Sequence, residues 1–122
     1  MRPSERRLPL GRVLVRGRSM EPTLRNGDHL LVRWGGVPRP GRLVVVRWPG
    51  RPLSVKRAGV LADDGWWVER DNPAYGVDSW LVGAIPEPDV VALVLGRLWP
   101  RPSLLRRVPD NGGGNAGVRT RR

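Results

Sequence analysis

Sixteen glycines and thirteen prolines punctuate a chain of 122 residues, and this density of breakers constrains the fold more than any other feature. Proline removes a helix donor and clashes with the preceding turn, and glycine costs about 1 kcal/mol in a helix interior. A helical bundle is therefore excluded. What remains between the breakers is a series of short apolar runs: Arg12–Arg16, His29–Trp34, Leu43–Trp48, Leu53–Val60, Trp66–Glu69 and Val90–Trp99. Bounded by pairs such as Pro40-Gly41 and Pro49-Gly50, these runs read as strands. The run at Leu43 is continuously apolar, which predicts a strand buried on both faces. Asp63-Asp64-Gly65 reads as a hairpin turn. Only Met20–Leu24 reads as a helical turn, with Ser19 as its cap and Pro22 tolerated in its first turn. The expected fold is mainly β: one small coiled antiparallel sheet or barrel with little helix.

Domain limits follow from composition. Residues 1–11 read as a flexible arm and 12–100 as the domain. Residues 101–122 carry six arginines against one acid, Asp110, and a run of glycines. That tail buries too little to order itself, apart from local docking of Leu104 and Leu105. No run approaches the roughly 20 apolar residues of a membrane span, and no apolar segment follows the basic start. A soluble, cytoplasmic protein without a transmembrane anchor is expected. The absence of cysteine excludes disulfides and thiolate chemistry, and the single histidine, His29, excludes a multi-histidine metal site. No metal or cofactor is expected.

The scarce residues carry the chemistry. Of the 22 basic residues one alone, Lys56, is a lysine. Arginine keeps its proton in a protein, whereas a desolvated lysine gives it up and can activate a nearby hydroxyl without histidine. Strand alternation turns Ser54 and Lys56 to one face. Upstream, an extended segment enters Gly17, reaches Ser19 at a bend and continues through Pro22. This arrangement exposes a hydroxyl among converging N–H groups. On these residues alone, Ser19 reads more simply as a helix cap and Lys56 as a surface lysine.

The order of motifs decides between these readings. Gly17-x-Ser19-Met20-x-Pro22-Thr23-Leu24 followed by Gly27-Asp28-x-Leu30-Leu31-Val32 resembles the serine motif of type I signal peptidases and their soluble relatives. Pro40–Val46 resembles the strand before the lysine motif, and Val55-Lys56-Arg57 resembles that motif itself. Asp71-Asn72-Pro73 and Asp78-Ser79 resemble the late acidic motif, continued by Gly83-x-Ile85-Pro86. The resemblance spans about Val13–Trp99. It implies the signal-peptidase and SOS-repressor protease fold, with Ser19 as nucleophile and Lys56 as general base. The Ser19 N–H would donate to the oxyanion, Gly17 would allow close approach, and Val44, Val46 and Val55 would wall the amine. It further implies a peptide bound as an added strand between Leu14–Gly17 and Leu53–Lys56. Leu14, Met20 and Ser54 are the other substrate-side candidates. Pro22, Gly27, Asp28, Asp71, Asn72, Asp78 and Ser79 are supporting residues.

Three positions depart from the signal-peptidase pattern. Arg70 stands where the late motif commonly has glycine, Gly76 where a hydroxyl residue often bonds the lysine, and Trp80 where arginine usually follows Asp-Ser. A backbone carbonyl or Ser79 is left to orient Lys56. Asp71–Tyr75 also resembles self-cleaving repressors of the SOS and phage type. Only 18 residues precede Ser19, so neither a membrane anchor nor a helix-turn-helix is expected there. Gly27–Gly35, Gly65–Val68 and Leu95–Arg97 resemble the soluble branch of nickel-type superoxide dismutase maturation proteases. That resemblance implies removal of a leader peptide from a precursor, nickel superoxide dismutase. The alternatives are a basic nucleic-acid-binding domain, suggested by a net charge of +11 and six tryptophans, or a non-catalytic interaction domain. With its charges dispersed, no nucleic-acid partner is expected. His29 reads as an ordinary strand residue, and of Trp66 and Trp67 one should be core.

Overall fold

A computed structural model describes residues 9–105. Seven strands form one sheet: β1 (Leu10–Leu14), β2 (His29–Trp34), β3 (Leu43–Val46), β4 (Ser54–Ala62), β5 (Gly65–Glu69), β6 (Val90–Trp99) and β7 (Ser103–Leu104). Their order is β1-β2-β6-β3-β4-β5, with β7 added on β6, and every pairing is antiparallel. Among the described residues, one short helix, α1 (Ser79–Val82), and a 3₁₀ turn at Glu87–Asp89 complete the elements. The chain is thus mainly antiparallel β with almost no helix, as the breakers dictate.

β3 is the axis of the molecule. All four of its residues are buried, because successive side chains enter different clusters. Leu43 and Val45 join Met20, Leu24, Val32 and Val94, while Val44 and Val46 join Trp48, Trp66, Val68 and Ile85. A strand with an apolar cluster on each side has no polar face, which accounts for the unbroken apolar run. Trp66 is buried and Trp67 half-buried. Trp67 meets the Trp80 ring edge-on at 5.3 Å between centroids.

Boundaries shift where pairing outruns composition. β1 starts at Leu10, inside the expected arm, because its residues pair along β2 from Leu10↔Arg33 to Leu14↔His29. The Trp34 N–H also donates to the Pro9 carbonyl at 2.6 Å. At the other end the fold passes residue 100. Ser103–Leu104 pairs with Gly96–Arg97 of β6, and Leu105 packs on the core. The parts of the arm and tail at residues 1–8 and 106–122 lie outside the described residues. Met20–Leu24 is a series of turns instead of a helix. Within it a single i→i+4 bond forms, from Leu24 N–H to the Met20 carbonyl at 2.9 Å, and Pro22 has no N–H to extend it. Helix is found instead at Ser79–Val82, where Asp78 Oδ1 accepts from the Trp80 N–H.

Candidate active site

Ser19 lies in the connection between β1 and β2, and bonds at both ends fix that connection. Val15 donates to the Asp28 carbonyl at 2.9 Å and accepts from Gly27 at 2.8 Å. The buried Asp28 carboxylate accepts from the Arg25 N–H and lies 3.6 Å from an Arg97 nitrogen. Arg97 also donates to the Thr23 carbonyl at 3.3 Å, which ties the serine turn to β6. Gly17 has φ +87, a left-handed conformation that side chains resist, and its own N–H donates to Asn26 Oδ1. A Cβ at Gly17 would meet nothing within 4 Å. The glycine is thus needed for backbone conformation, and its face is left open.

The segment after β5 clamps the same turn from the other side. Asn72 donates its N–H to the Ser19 carbonyl at 2.7 Å and its side-chain amide to the Arg18 carbonyl at 3.0 Å. The Asp71 N–H donates to Met20 Sδ, and Thr23 Oγ1 donates to Asp71 Oδ2 at 2.6 Å. Arg57, the residue after Lys56 on β4, meets Asp71 in a fork, Nε to Oδ1 at 3.1 Å and Nη2 to Oδ2 at 2.6 Å. Asp71 therefore joins the strand carrying Lys56 to the turn carrying Ser19.

Those ties bring together two residues 37 positions apart: Lys56 Nζ lies 2.9 Å from Ser19 Oγ. The serine side chain meets the amine and does not cap a helix. Lys56 is 3 % exposed. In the β3–β4 register it faces Val44, and Val46 lies beside Ser54 on the same face. Val55 points into the other cluster, so of the three expected walls it does not share this face. Burial disfavours the ammonium form and pushes the Lys56 pKa down from 10.5 to about 8. The Asp78 carboxylate pulls it back up, while the charges of Arg70 and Arg51 push it down.

Gly76 closes over the pair. With φ +82, a Cβ at this position would lie 2.6 Å from Ser19 Cβ and 3.6 Å from Lys56 Nζ. The residue standing in for the expected hydroxyl is thus the close-approach glycine, and no side chain there reaches the amine. Ser79 does not orient Lys56 either, since its Oγ accepts from the Val68 N–H at 2.8 Å. Asp78 is buried, caps α1 and pairs with Arg70, whose Nε lies 3.5 Å from Oδ2.

Beside Ser19 is a small groove, about 40 Å³, lined in part by Leu14, Gly17, Met20, Leu53 and Ser54. It lies between the ends of β1 and β4. β1 pairs with β2 alone, and β5 joins β4 only from Arg57 onward. Ser54–Lys56 therefore pairs on one side, with β3. No main-chain carbonyl among the described residues accepts from the N–H of Ser19 or Met20.

Most of the sequence candidates thus gather around one cleft, with Pro22 and Gly27 shaping the turn. His29 lies apart from this cluster of contacts, between Arg12 and the Trp99 ring. Arg57 and Arg97 were missed as site supports, although both stand in the quoted motifs. A buried arginine demands a carboxylate or carbonyl partner, and that demand was the available signal. No curated protein matches the chain. The family model described as Peptidase S24-like matches residues 8–80, which is more than half the chain and contains both Ser19 and Lys56. The chain belongs to the Peptidase S24-like family, a family of serine peptidases.

Proposed function

We propose that this protein is a serine endopeptidase in which Ser19 is the nucleophile and Lys56 the general base. The observation that carries the reading is a buried amine, titrating at about 8, set 2.9 Å from a hydroxyl. At pH 7 about one such amine in ten is neutral, against fewer than about one in a thousand for an unshifted lysine. The neutral amine takes the Ser19 proton as Oγ attacks the scissile carbonyl. The Ser19 N–H donates to the resulting oxyanion. The ammonium then returns the proton to the departing amine, leaving an acyl-enzyme. Lys56 next deprotonates a water, which attacks the ester, and the proton goes back to Ser19.

The substrate enters as an extended strand between the open edges at Leu14–Gly17 and Leu53–Lys56, main chain to main chain. The groove beside Ser19 receives the side chain next to the scissile bond, and the family resemblance favours a small one there. The soluble-branch resemblance favours an N-terminal leader peptide, with nickel superoxide dismutase as precursor and the cytoplasm as the compartment. No helix among the described residues is long and apolar enough to cross a membrane.

Co-expression with a nickel superoxide dismutase precursor, followed by mass measurement of its N-terminus, tests this. Trimming by the wild type and not by Ser19→Ala or Lys56→Met is the expected result. Equal trimming by Ser19→Ala removes the protein as the protease. Fragmentation of the protein itself, without precursor, at alkaline pH would favour the self-cleaving reading.

A further inference from the structure

Arg70 follows β5 directly, and its guanidinium reaches both ends of the segment that closes over Ser19 and Lys56. Through Nη1 it donates to the carbonyl of Gly76 and, at 3.3 Å, to that of Tyr75. Its Nε lies 3.5 Å from Asp78 Oδ2, and its main-chain N–H donates to the same oxygen at 3.5 Å. Gly76 lies so close to Ser19 and Lys56 that a Cβ on it would meet Ser19 Cβ at 2.6 Å and the amine at 3.6 Å. Asp78 is the buried carboxylate whose charge reaches Lys56. One guanidinium therefore holds the wall of the cleft through Nη1 and faces the anion beside it through Nε.

We propose that Arg70 is a positioning residue for the dyad: it holds the Gly76 backbone against Ser19 and Lys56 and pairs with the Asp78 carboxylate beside them. The inference rests on the Ser19–Lys56 reading and deepens it. The physics is a competition of charges. A lone carboxylate close to an amine favours the ammonium form, and a guanidinium paired to that carboxylate cancels the effect. The charged groups acting on Lys56 are Asp78 and Arg70 from the segment after β5, and Arg51 from the turn before β4. The serine turn presents a hydroxyl to the amine. With Arg70 removed, Asp78 acts unopposed and one of the two cationic repulsions is lost, so both changes move the amine the same way.

Because Lys56 is the chain's single lysine, lysine labelled with ¹³C at Cε gives one side-chain resonance, whose titration can be followed without any substrate. In the full-length protein, Arg70→Gln should raise that midpoint by about one unit. Its kcat at pH 7 should fall at least tenfold: the part that follows the neutral fraction, about tenfold, should return at high pH, while the part due to the lost fork should persist as in Arg70→Lys. Arg70→Lys keeps the charge and loses the fork. It adds a second labelled lysine, whose resonance is identified in a protein carrying both Arg70→Lys and Lys56→Met; the Lys56 midpoint should then stay near that of the wild type while kcat falls, now at every pH. A folded Arg70→Gln with an unmoved midpoint overturns the proposal, as does an Arg70→Lys whose midpoint moves by a full unit. Should Arg70→Gln fail to fold, the Arg70→Lys titration decides alone. Failure of the dyad reading looks different: the wild-type resonance would titrate near that of an ordinary lysine, or Ser19→Ala would still process precursor.

Discussion

Because the Lys56 amine is buried and titrates at about 8 in place of 10.5, proton binding and folding are coupled at this one residue. The unfolded chain holds the proton up to the higher value, the folded chain only up to the lower. Between the two the unfolded state binds more protons, so stability rises with pH across that window. Below pH 8 the folded protein carries the full cost of the buried ammonium, about 3 kcal/mol at 1.36 kcal/mol per unit. Lys56→Met should therefore be inactive yet more stable than the wild type at pH 6. Its advantage in urea unfolding should shrink as pH rises through 8 and vanish above about 10.5. Lys56→Arg keeps charge and approximate length but cannot lose its proton, so it should be inactive at every pH tested. Activity of the wild type should rise with a midpoint near pH 8, and a flat profile from pH 6 to about pH 10 contradicts a lysine base. Gly76 offers a steric counterpart. A methyl group there enters the space of Ser19 Cβ in a left-handed backbone. Gly76→Ala should thus cost about 1–2 kcal/mol of stability. It should also lower kcat by about two orders of magnitude, the scale expected of a 1 Å displacement between reacting groups.

At the scale of elements, the site depends on joining β4 to the turn between β1 and β2, and the joint is Asp71 between Arg57 and Thr23. Both Asp71 and Arg57 have little exposed surface, so removing one partner strands the other away from water. Asp71→Ala should cost about 3 kcal/mol by urea unfolding. A double cycle with Arg57→Met should recover part of that loss, since the stranded guanidinium is then gone. The strands themselves were legible because turn formers bound each run, and β3 announced its two-sided burial by four consecutive apolar residues. Two elements were not legible. Ser103–Leu104 has no periodicity of its own and is a strand because β6 extends past β3 and offers it an edge. Ser79–Val82 is four residues long, and its one local signal is the cap at Asp78. Within the site, Ser19 and Lys56 could be named from their motifs. Arg70 could not, because its partners are two backbone carbonyls and a carboxylate brought near only when the loop folds back.

Considered whole, the molecule is a strong cation in which arginines engage five of the nine carboxylates among the described residues. Glu21, Asp28, Asp71, Asp78 and Asp89 each lie in an ion pair with an arginine. Arginines with no carboxylate partner among the described residues, Arg16 beside the groove among them, belong to a chain whose net charge is +11. A field of this kind raises the encounter rate with an acidic chain and does little for a neutral one. On the proposed reading the bond-breaking step is partly shielded from it, because the buried amine meets a half-buried hydroxyl. Salt should therefore act on capture and leave the chemistry alone. The screening length falls from about 10 Å at 0.1 M salt to about 3 Å at 1 M. Across that range kcat/KM for a peptide with acidic residues flanking the cleavage site should drop several-fold while kcat holds. The same peptide with those acids changed to amides should show a nearly level kcat/KM. Added duplex DNA provides the opposing control. A surface built for nucleic acid would show an affinity falling with a steep power of salt, and DNA would then suppress cleavage of both peptides alike at low salt. A field that only gathers acidic chains instead leaves the neutral peptide's turnover untouched by DNA, and that outcome is expected here.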